Sequence, residues 1–292
     1  FNIYNLVNYI MSKKHFDKNN ICIFASELAS LIGLNNFKSP AETLYRIWQK
    51  NFPNDFETVY KNLGDRANLL EDKKTSFNKI AKKYNKNLDI DLEKCIDSKD
   101  IEGMMTKRKQ LLEDCKDMDF KDKKKIEENI INLTNTGFGT KNEERSIHIY
   151  TQMTGTPVIN IADFYKRVLL KSNGYNWYVG GKIDGICADK TIIEVKNRMH
   201  KLFYNLREYE KIQTYSYMFI LESKKSQLVE TYMKGQQPEV NIIDVEFEEI
   251  YWNYIYHRIT IFVDYFNDFM KDDELKIKLL SEGVENYKIN IY

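Results

Sequence analysis

Two acidic residues and a lysine stand in the runs best placed to do hydrolytic chemistry, Gly181-Lys182-Ile183-Asp184-Gly185 and Thr191-Ile192-Ile193-Glu194-Val195-Lys196. The intervening Cys187-Ala188-Asp189-Lys190 has the composition of a tight turn. A hairpin centred on Asp189 sets Asp184, five residues before it, opposite Glu194, five residues after it. Directly opposed residues in an antiparallel pair have Cβ atoms about 5 Å apart, and like charges there are destabilising. Alternation along the second run turns Ile193 and Val195 to one face and Glu194 and Lys196 to the other. An otherwise apolar strand is thus asked to hold two carboxylates and an ammonium. A hard divalent cation resolves the conflict, because Mg²⁺ takes carboxylate oxygens completed by water and phosphate oxygens. A cation so held suits hydrolysis at a phosphate-bearing substrate. Lys196 beside the metal would orient the attacking water and stabilise charge developing on the phosphoryl group.

Spacing alone does not select these residues. Glu71-Asp72-Lys73, Glu222-Ser223-Lys224 and Glu274-Leu275-Lys276 repeat the E-x-K pattern, and Asp264 precedes Glu274 by the same ten residues that separate Asp184 from Glu194. That second pair runs into the polar, helical-looking tail Met270-Lys271-Asp272-Asp273-Glu274. The glycines beside Asp184 and the apolar strand around Glu194 make the difference. Lys182, Arg198, Lys201, Arg207 and Lys211 surround the motif and form a candidate DNA-binding patch. Such a patch must be local, because 44 Lys and Arg against 43 Asp and Glu leave a net charge of +1. Binding of nucleic acid by bulk positive charge is excluded.

These residues need elements to position them. A chain of 292 residues, 42 % hydrophobic and 30 % charged, folds as a globular protein of one large domain or two. No run approaches the roughly 18 apolar residues of a membrane span, and Phe1–Lys14 is too polar for a secretory leader. Cys22, Cys95, Cys115 and Cys187 and the four histidines show no metal-ligand spacing. Zinc, iron–sulfur and disulfide frameworks are therefore disfavoured, and a reducing intracellular setting is expected. Ser26 reads as the N-cap of a helix closed by Gly33, and Ser39-Pro40-Ala41-Glu42 as a capping box opening a helix that Phe52-Pro53 stops. Residues 91–133, charge-dense with thinly spaced apolar positions, predict two or three long exposed helices. The texture changes at Thr136-Gly137-Phe138-Gly139. A helix over 140–153, strands over 158–161, 177–186 and 191–196, a helix over 208–221, strands over 227–233 and 240–247, and a helix over 248–270 follow. The reading is a helical N-terminal region, 1–135, and an α/β core, 136–292, with a central mixed sheet flanked by helices.

Residues 181–185 with 192–196 resemble the core of the PD-(D/E)XK nuclease superfamily, and more closely the phage lambda-type alkaline exonucleases and their relatives in large DNA viruses. Gly139-Thr140-Lys141-Asn142-Glu143 is similar to that family's G-x-x-x-E motif. Glu210-Lys211-Ile212-Gln213-Thr214-Tyr215 resembles its later glutamine-bearing helix, and Ala25-Ser26-Glu27 its early A-S-E segment. The match covers about 137–221 and the short N-terminal patch. The resemblance implies a restriction-endonuclease-like fold and a Mg²⁺- or Mn²⁺-dependent exonuclease digesting double-stranded DNA ends 5′-to-3′ in recombination, repair or replication. It further implies a ring-shaped trimer and a single-strand-annealing partner. By the same resemblance Asp184, Glu194, the Val195 carbonyl and Glu143 hold metal, Lys196 and Gln213 assist catalysis, and Ser26 lies near a DNA phosphate. Lys13, Lys14 or Lys18 stands in for the arginine that the family uses on a 5′ phosphate. Other readings remain open on the residues alone. Thr140-x-x-Glu143 is itself a capping box, Glu144 rivals Glu143, and Ser26 is also an N-cap. A structure-specific endonuclease that uses residues 91–133 as a clamp and a catalytically silent DNA-binding module are the alternative functions.

Overall fold

The computed structural model describes residues 19–159, 163–234 and 238–292; Lys13, Lys14 and Lys18 and the predicted strand residues Asn160 and Ile161 lie outside the described residues. Strand β1 (Asn20–Phe24) runs directly into helix α1 (Ala25–Leu31). Phe24 therefore occupies the N-cap position, and Ser26 is an exposed first-turn residue, not the cap predicted for it. Gly33 closes the helix as predicted, at φ +73°, with the Leu34 N–H donating to the Ala29 carbonyl at 2.8 Å. The Ser39 hydroxyl caps α2 (Pro40–Asn51) by accepting the Glu42 N–H. Pro53 then opens α3 (Pro53–Leu63), because a proline in the first turn withholds no needed donor.

The charged middle of the chain is not a set of bare exposed helices. Helices α4 (Lys73–Lys83), α5 (Asp89–Ile96), α6 (Ile101–Glu113) and α7 (Phe120–Lys141) pool their sparse apolar residues into a core of their own. Phe77, Leu92, Cys95, Met104, Leu111, Ile126, Ile130 and Phe138 are buried in it. Gly137 lies inside α7, where a Cβ would come within 2.7 Å of Ile96 Cδ1, so the missing side chain is what lets α5 lie against α7. The α7 helix runs unbroken through residue 135, and the interruption falls at Asn142, before α8 (Glu143–Thr154). Thr140 is therefore a residue of α7, and no capping box joins it to Glu143.

The strands form two sheets, a three-stranded one and a five-stranded mixed one. In the first, β4 (Tyr175–Lys182) lies between β1, parallel to it, and β3 (Phe164–Ser172), antiparallel. The second has five strands in the order β2 (Val158–Ile159), β5 (Gly185–Cys187), β6 (Ile192–Asn197), β7 (Lys225–Tyr232) and β8 (Glu239–Glu246). Only β6 and β7 run parallel, so this sheet is mixed. The strand predicted over 177–186 is thus divided, and Ile183-Asp184 carries the chain from one sheet to the other.

Ile21, Ile23, Trp177 and Val179 on the inner face of the three-stranded sheet pack with α1, α2, α9 (Glu208–Leu221), α10 (Glu249–Lys271) and α11 (Asp273–Glu282). Leu28, Trp48, Ile212, Phe262 and Phe266 fill this core, each worth about 1.5–3 kcal/mol on burial. A smaller cluster joins Ile193, Val195 and Val229 to Ile147 and Tyr150 of α8. Helices thus flank the mixed sheet on both faces, the α/β arrangement read from the sequence. Among the described residues no helix is long and apolar enough to cross a membrane.

Candidate active site

The β5–β6 hairpin has the register that its turn predicts. Gly185 pairs with Ile193 and Ile186 with Ile192, which brings Asp184 level with Glu194. Asp189 fixes the turn by accepting the Thr191 N–H at 3.0 Å and the Thr191 hydroxyl at 2.9 Å, while Lys190 takes φ +71°. Just beyond the last ladder pair, the Asp184 carboxylate accepts the Val195 N–H at 2.7 Å. A side chain there replaces the next strand-to-strand hydrogen bond. It is held by backbone rather than by its own rotamer alone.

Alternation along β6 does the rest. Ile193 and Val195 face α8, while Glu194 and Lys196 face α9. Glu194 is 3 % exposed, with Oε1 at 2.8 Å from the Lys196 Nζ. Its Oε2 is buried and has no hydrogen-bond partner among the described residues. Such an orphaned charged oxygen is destabilising unless something compensates. Lys196 Nζ also donates to Gln213 Oε1 at 3.1 Å, and Gln213 Nε2 donates to the Tyr217 hydroxyl at 3.1 Å. A chain of polar contacts thus crosses from β6 to α9.

The electrostatics follow from this packing. Burial, then the charges of Glu194 and Glu143, push the Asp184 carboxyl up to about 8, against the opposing Val195 N–H and Lys196 ammonium. Burial also raises Glu143, opposed by its hydrogen bond with Thr140 and reinforced by Glu194. Burial disfavours the Lys196 ammonium, yet the charge and hydrogen bond of Glu194, with Asp184 behind them, outweigh it and raise its pKa. Burial and the same carboxylates push the Tyr217 phenol up.

Tyr217 is the member of the site that the sequence reading lacked. Its ring lies against the β4 backbone, where a Cβ on Gly181 would come within 2.8 Å of Tyr217 Cε1. The available signal was its spacing of four from Gln213, which puts both on one helix face.

Of the predicted site residues, the structure brings together Asp184, Glu194, Lys196 and Gln213, with the Val195 backbone between them. Glu143 is half-buried and electrostatically coupled to them; its rival Glu144 is exposed. Among the described residues, no group of three or more His, Cys, Asp or Glu side chains stands in a metal-holding arrangement, so Glu143 does not complete a three-carboxylate cluster.

Arg198 is a correction. It is 8 % exposed and locked between Glu210, at 2.6 Å, and Glu230, at 2.7 Å, and cannot contact a phosphate. Lys182 and Lys201 are exposed. The Arg207 guanidinium stacks 3.5 Å over Phe203 and donates to the Tyr209 hydroxyl, and Lys211 sits 3.9 Å over the Tyr251 ring. Ser26 is exposed at the start of α1.

No protein-family model matches the chain, and no curated protein matches it. Among solved structures the chain is similar to an alkaline exonuclease from Laribacter hongkongensis, with 13% identity, 65% of this chain and 91% of that one covered, and a TM-score of 0.39. It is also similar to a phage-related exonuclease from Haemophilus somnus 129PT, with 11% identity, 85% and 95% covered, and a TM-score of 0.40. At such scores and identities neither likeness bears on mechanism, which rests on this chain's own residues.

Proposed function

We propose that this chain is a divalent-metal-dependent DNA nuclease of the PD-(D/E)XK type, an exonuclease that digests double-stranded ends. The observation that carries the reading is the pairing of half-buried Asp184 with buried Glu194, whose Oε2 is unpartnered beside a lysine held in place from α9. A donor set of hard oxygens under mutual repulsion suits Mg²⁺ or Mn²⁺. Asp184 and Glu194 would hold the ion. The Val195 carbonyl shares a strand edge with the N–H that meets Asp184, so it faces the same side and serves as a third donor. Glu143 adds its charge to the same site. When bound, the ion supplies Lewis acidity to the scissile phosphate and acidifies the attacking water.

The chain's own residues provide the remaining steps. Lys196 has three N–H donors; Glu194 and Gln213 take two, and the third is available to a phosphate oxygen. Its raised pKa keeps it cationic throughout. Gln213 and Tyr217 hold that ammonium against α9, so little reorganisation is needed as charge develops. Lys182 and Lys201, exposed beside the hairpin, contact flanking phosphates. Digestion runs 5′-to-3′, in recombination, repair or replication, on the strength of the family resemblance.

The test is cleavage of end-labelled linear duplex with Mg²⁺ or Mn²⁺, beside covalently closed circular duplex. Asp184→Ala and Lys196→Ala should each lower the rate by at least about a thousandfold while the fold is retained. Full activity in either variant overturns the assignment. Equal cutting of the circle would make the enzyme an endonuclease.

A further inference from the structure

The outer face of the β1-β4-β3 sheet is not built like a solvated face. Solvent-facing positions of such a sheet are ordinarily polar; here Asn20 and Asn176 keep that pattern at one end, but Cys22, Phe24, Phe164, Val168 and Tyr178 share the rest with Lys166 and Lys182. The registers place these residues on one side: Phe24 and Lys166 both pair with Gly180, Cys22 and Val168 with Tyr178, and Phe164 with Lys182. The opposite side carries Ile21, Ile23, Trp177 and Val179 into the core. Phe164 is 44% exposed and Val168 40%, while Phe24 and Tyr178 are half-buried.

The rings are arranged rather than scattered. Phe24 and Phe164 meet edge to face at 6.0 Å. A Cβ on Gly180 would come within 2.6 Å of Phe164 Cζ, so this glycine leaves the ring its seat. Ammonium groups sit over two of the rings, Lys166 at 4.9 Å from Tyr178 and Lys50 at 4.8 Å from Phe24. Lys182 adds a third at the end of β4. Among the described residues, acids near the face include Asp163, next to Phe164 in sequence, and the half-buried Glu27, which already faces Arg46 and Lys38. Positive charge and open aromatic surface coincide, and β4 leads from them to Asp184 two residues after Lys182.

We propose that this face is a platform for single-stranded DNA, on which an unpaired base stacks against Phe164 while Lys166 and Lys182 hold the phosphates of the strand leading to or from the cleavage site. Aromatic faces stack with bases only where these are unpaired, because a duplex presents its grooves and backbone. The lysines supply the sequence-independent electrostatic part. A duplex end being digested provides such a strand continuously. The inference rests on the nuclease reading for its occupant, but its test does not need cleavage.

The measurement is fluorescence anisotropy in EDTA, with labelled oligo-dT and a blunt hairpin duplex as separate probes. Phe164→Ala and Phe164→Leu should each weaken oligo-dT binding about tenfold, the value of one lost stacking contact, with duplex binding changed less than twofold. Phe164→Leu keeps an apolar side chain at an exposed position, so it controls for folding. Lys166→Gln should reduce the steepness of log affinity against log salt by about 0.7, one single-strand phosphate contact. Unchanged oligo-dT binding in all three variants overturns the proposal, as does an equal loss on both probes. Face-dependent oligo-dT binding without metal-dependent cleavage would sink only the nuclease reading. Cleavage with oligo-dT binding indifferent to these variants would sink only the platform.

Discussion

At the scale of a single residue, Asp184→Asn separates two things that its carboxylate does together. The amide oxygen can still accept the Val195 N–H, which closes the ladder beyond Gly185. What disappears is a carboxyl whose ionised form burial and Glu194 both oppose, strongly enough to raise its pKa to about 8, so that at neutral pH the folded protein holds it largely protonated where the unfolded chain ionises it. Without divalent ions, then, the wild-type carboxylate is a liability and the amide a relief. The variant should melt several degrees above wild type in EDTA, at about 2–4 °C per kcal/mol for a chain somewhat smaller than this. Mn²⁺ should reverse the order: a ligand at a hundred times its Kd stabilises by about 2.7 kcal/mol, and only the wild type can bind it well. Differential scanning fluorimetry with and without Mn²⁺ reads both effects. A variant that melts below wild type in EDTA, or gains as much from Mn²⁺, would show that the repulsion is not what the site stores.

At the scale of elements, Arg198 ties β6 to β7 and α9. Its guanidinium meets Glu210 and Glu230, and the Glu230 carboxylate also accepts the Phe203 and Tyr204 N–H groups and the Asn241 amide. Removing one partner of a buried ion pair typically destabilises by about 3–5 kcal/mol, because a charge is left uncompensated. Arg198→Met should therefore lower the urea midpoint with the slope unchanged, and Arg198→Lys should recover little, since an ammonium cannot span both carboxylates. A stable Arg198→Met protein that had merely lost DNA affinity would restore Arg198 to the phosphate patch.

The arginine was misread because its partners lie 12 and 32 residues away, where a linear reading sees only a charge near a motif. The hairpin, by contrast, was legible: a tight turn sets its own register, and alternation assigns the faces. Helix α9 was legible down to its ends, as Gln213 and its neighbours keep one pattern. β1 was not, because five residues take their meaning from β4, more than 150 positions on. Nor was β3, whose pairing slips between Val168 and Leu170 and breaks the alternation a reader looks for. The core of α4–α7 stayed hidden for a related reason: each helix offers few apolar residues, and only their sum encloses a volume.

At the scale of the molecule, the chain's distant parts are knitted into one body around the site. β1 pairs with β4, the Tyr292 hydroxyl donates to the Leu31 carbonyl at 2.8 Å, and the Asn68 N–H donates to the Leu280 carbonyl at 2.7 Å. Helices α5 and α6 belong elsewhere. Their buried residues face a separate core that reaches the sheet through Met233, whose carbonyl accepts the Ile101 N–H at 3.1 Å. Local opening follows the boundaries of such clusters. Residues 89–113 should therefore exchange their amide hydrogens as a unit, well before β4, β6 and α9, which open only with the whole protein. Mass-spectrometric hydrogen exchange in low urea checks this, and equal protection of residues 89–113 and β6 would refute it. The site makes a second reading possible on the same samples. Asp184, Glu194, Lys196 and Gln213 draw their contacts from the hairpin and α9, none of which opens with α5 and α6. Urea that frees residues 89–113 but not β6 should thus leave metal-dependent cleavage of a short duplex nearly unchanged, and loss of cleavage in step with that opening would make those helices part of the working site.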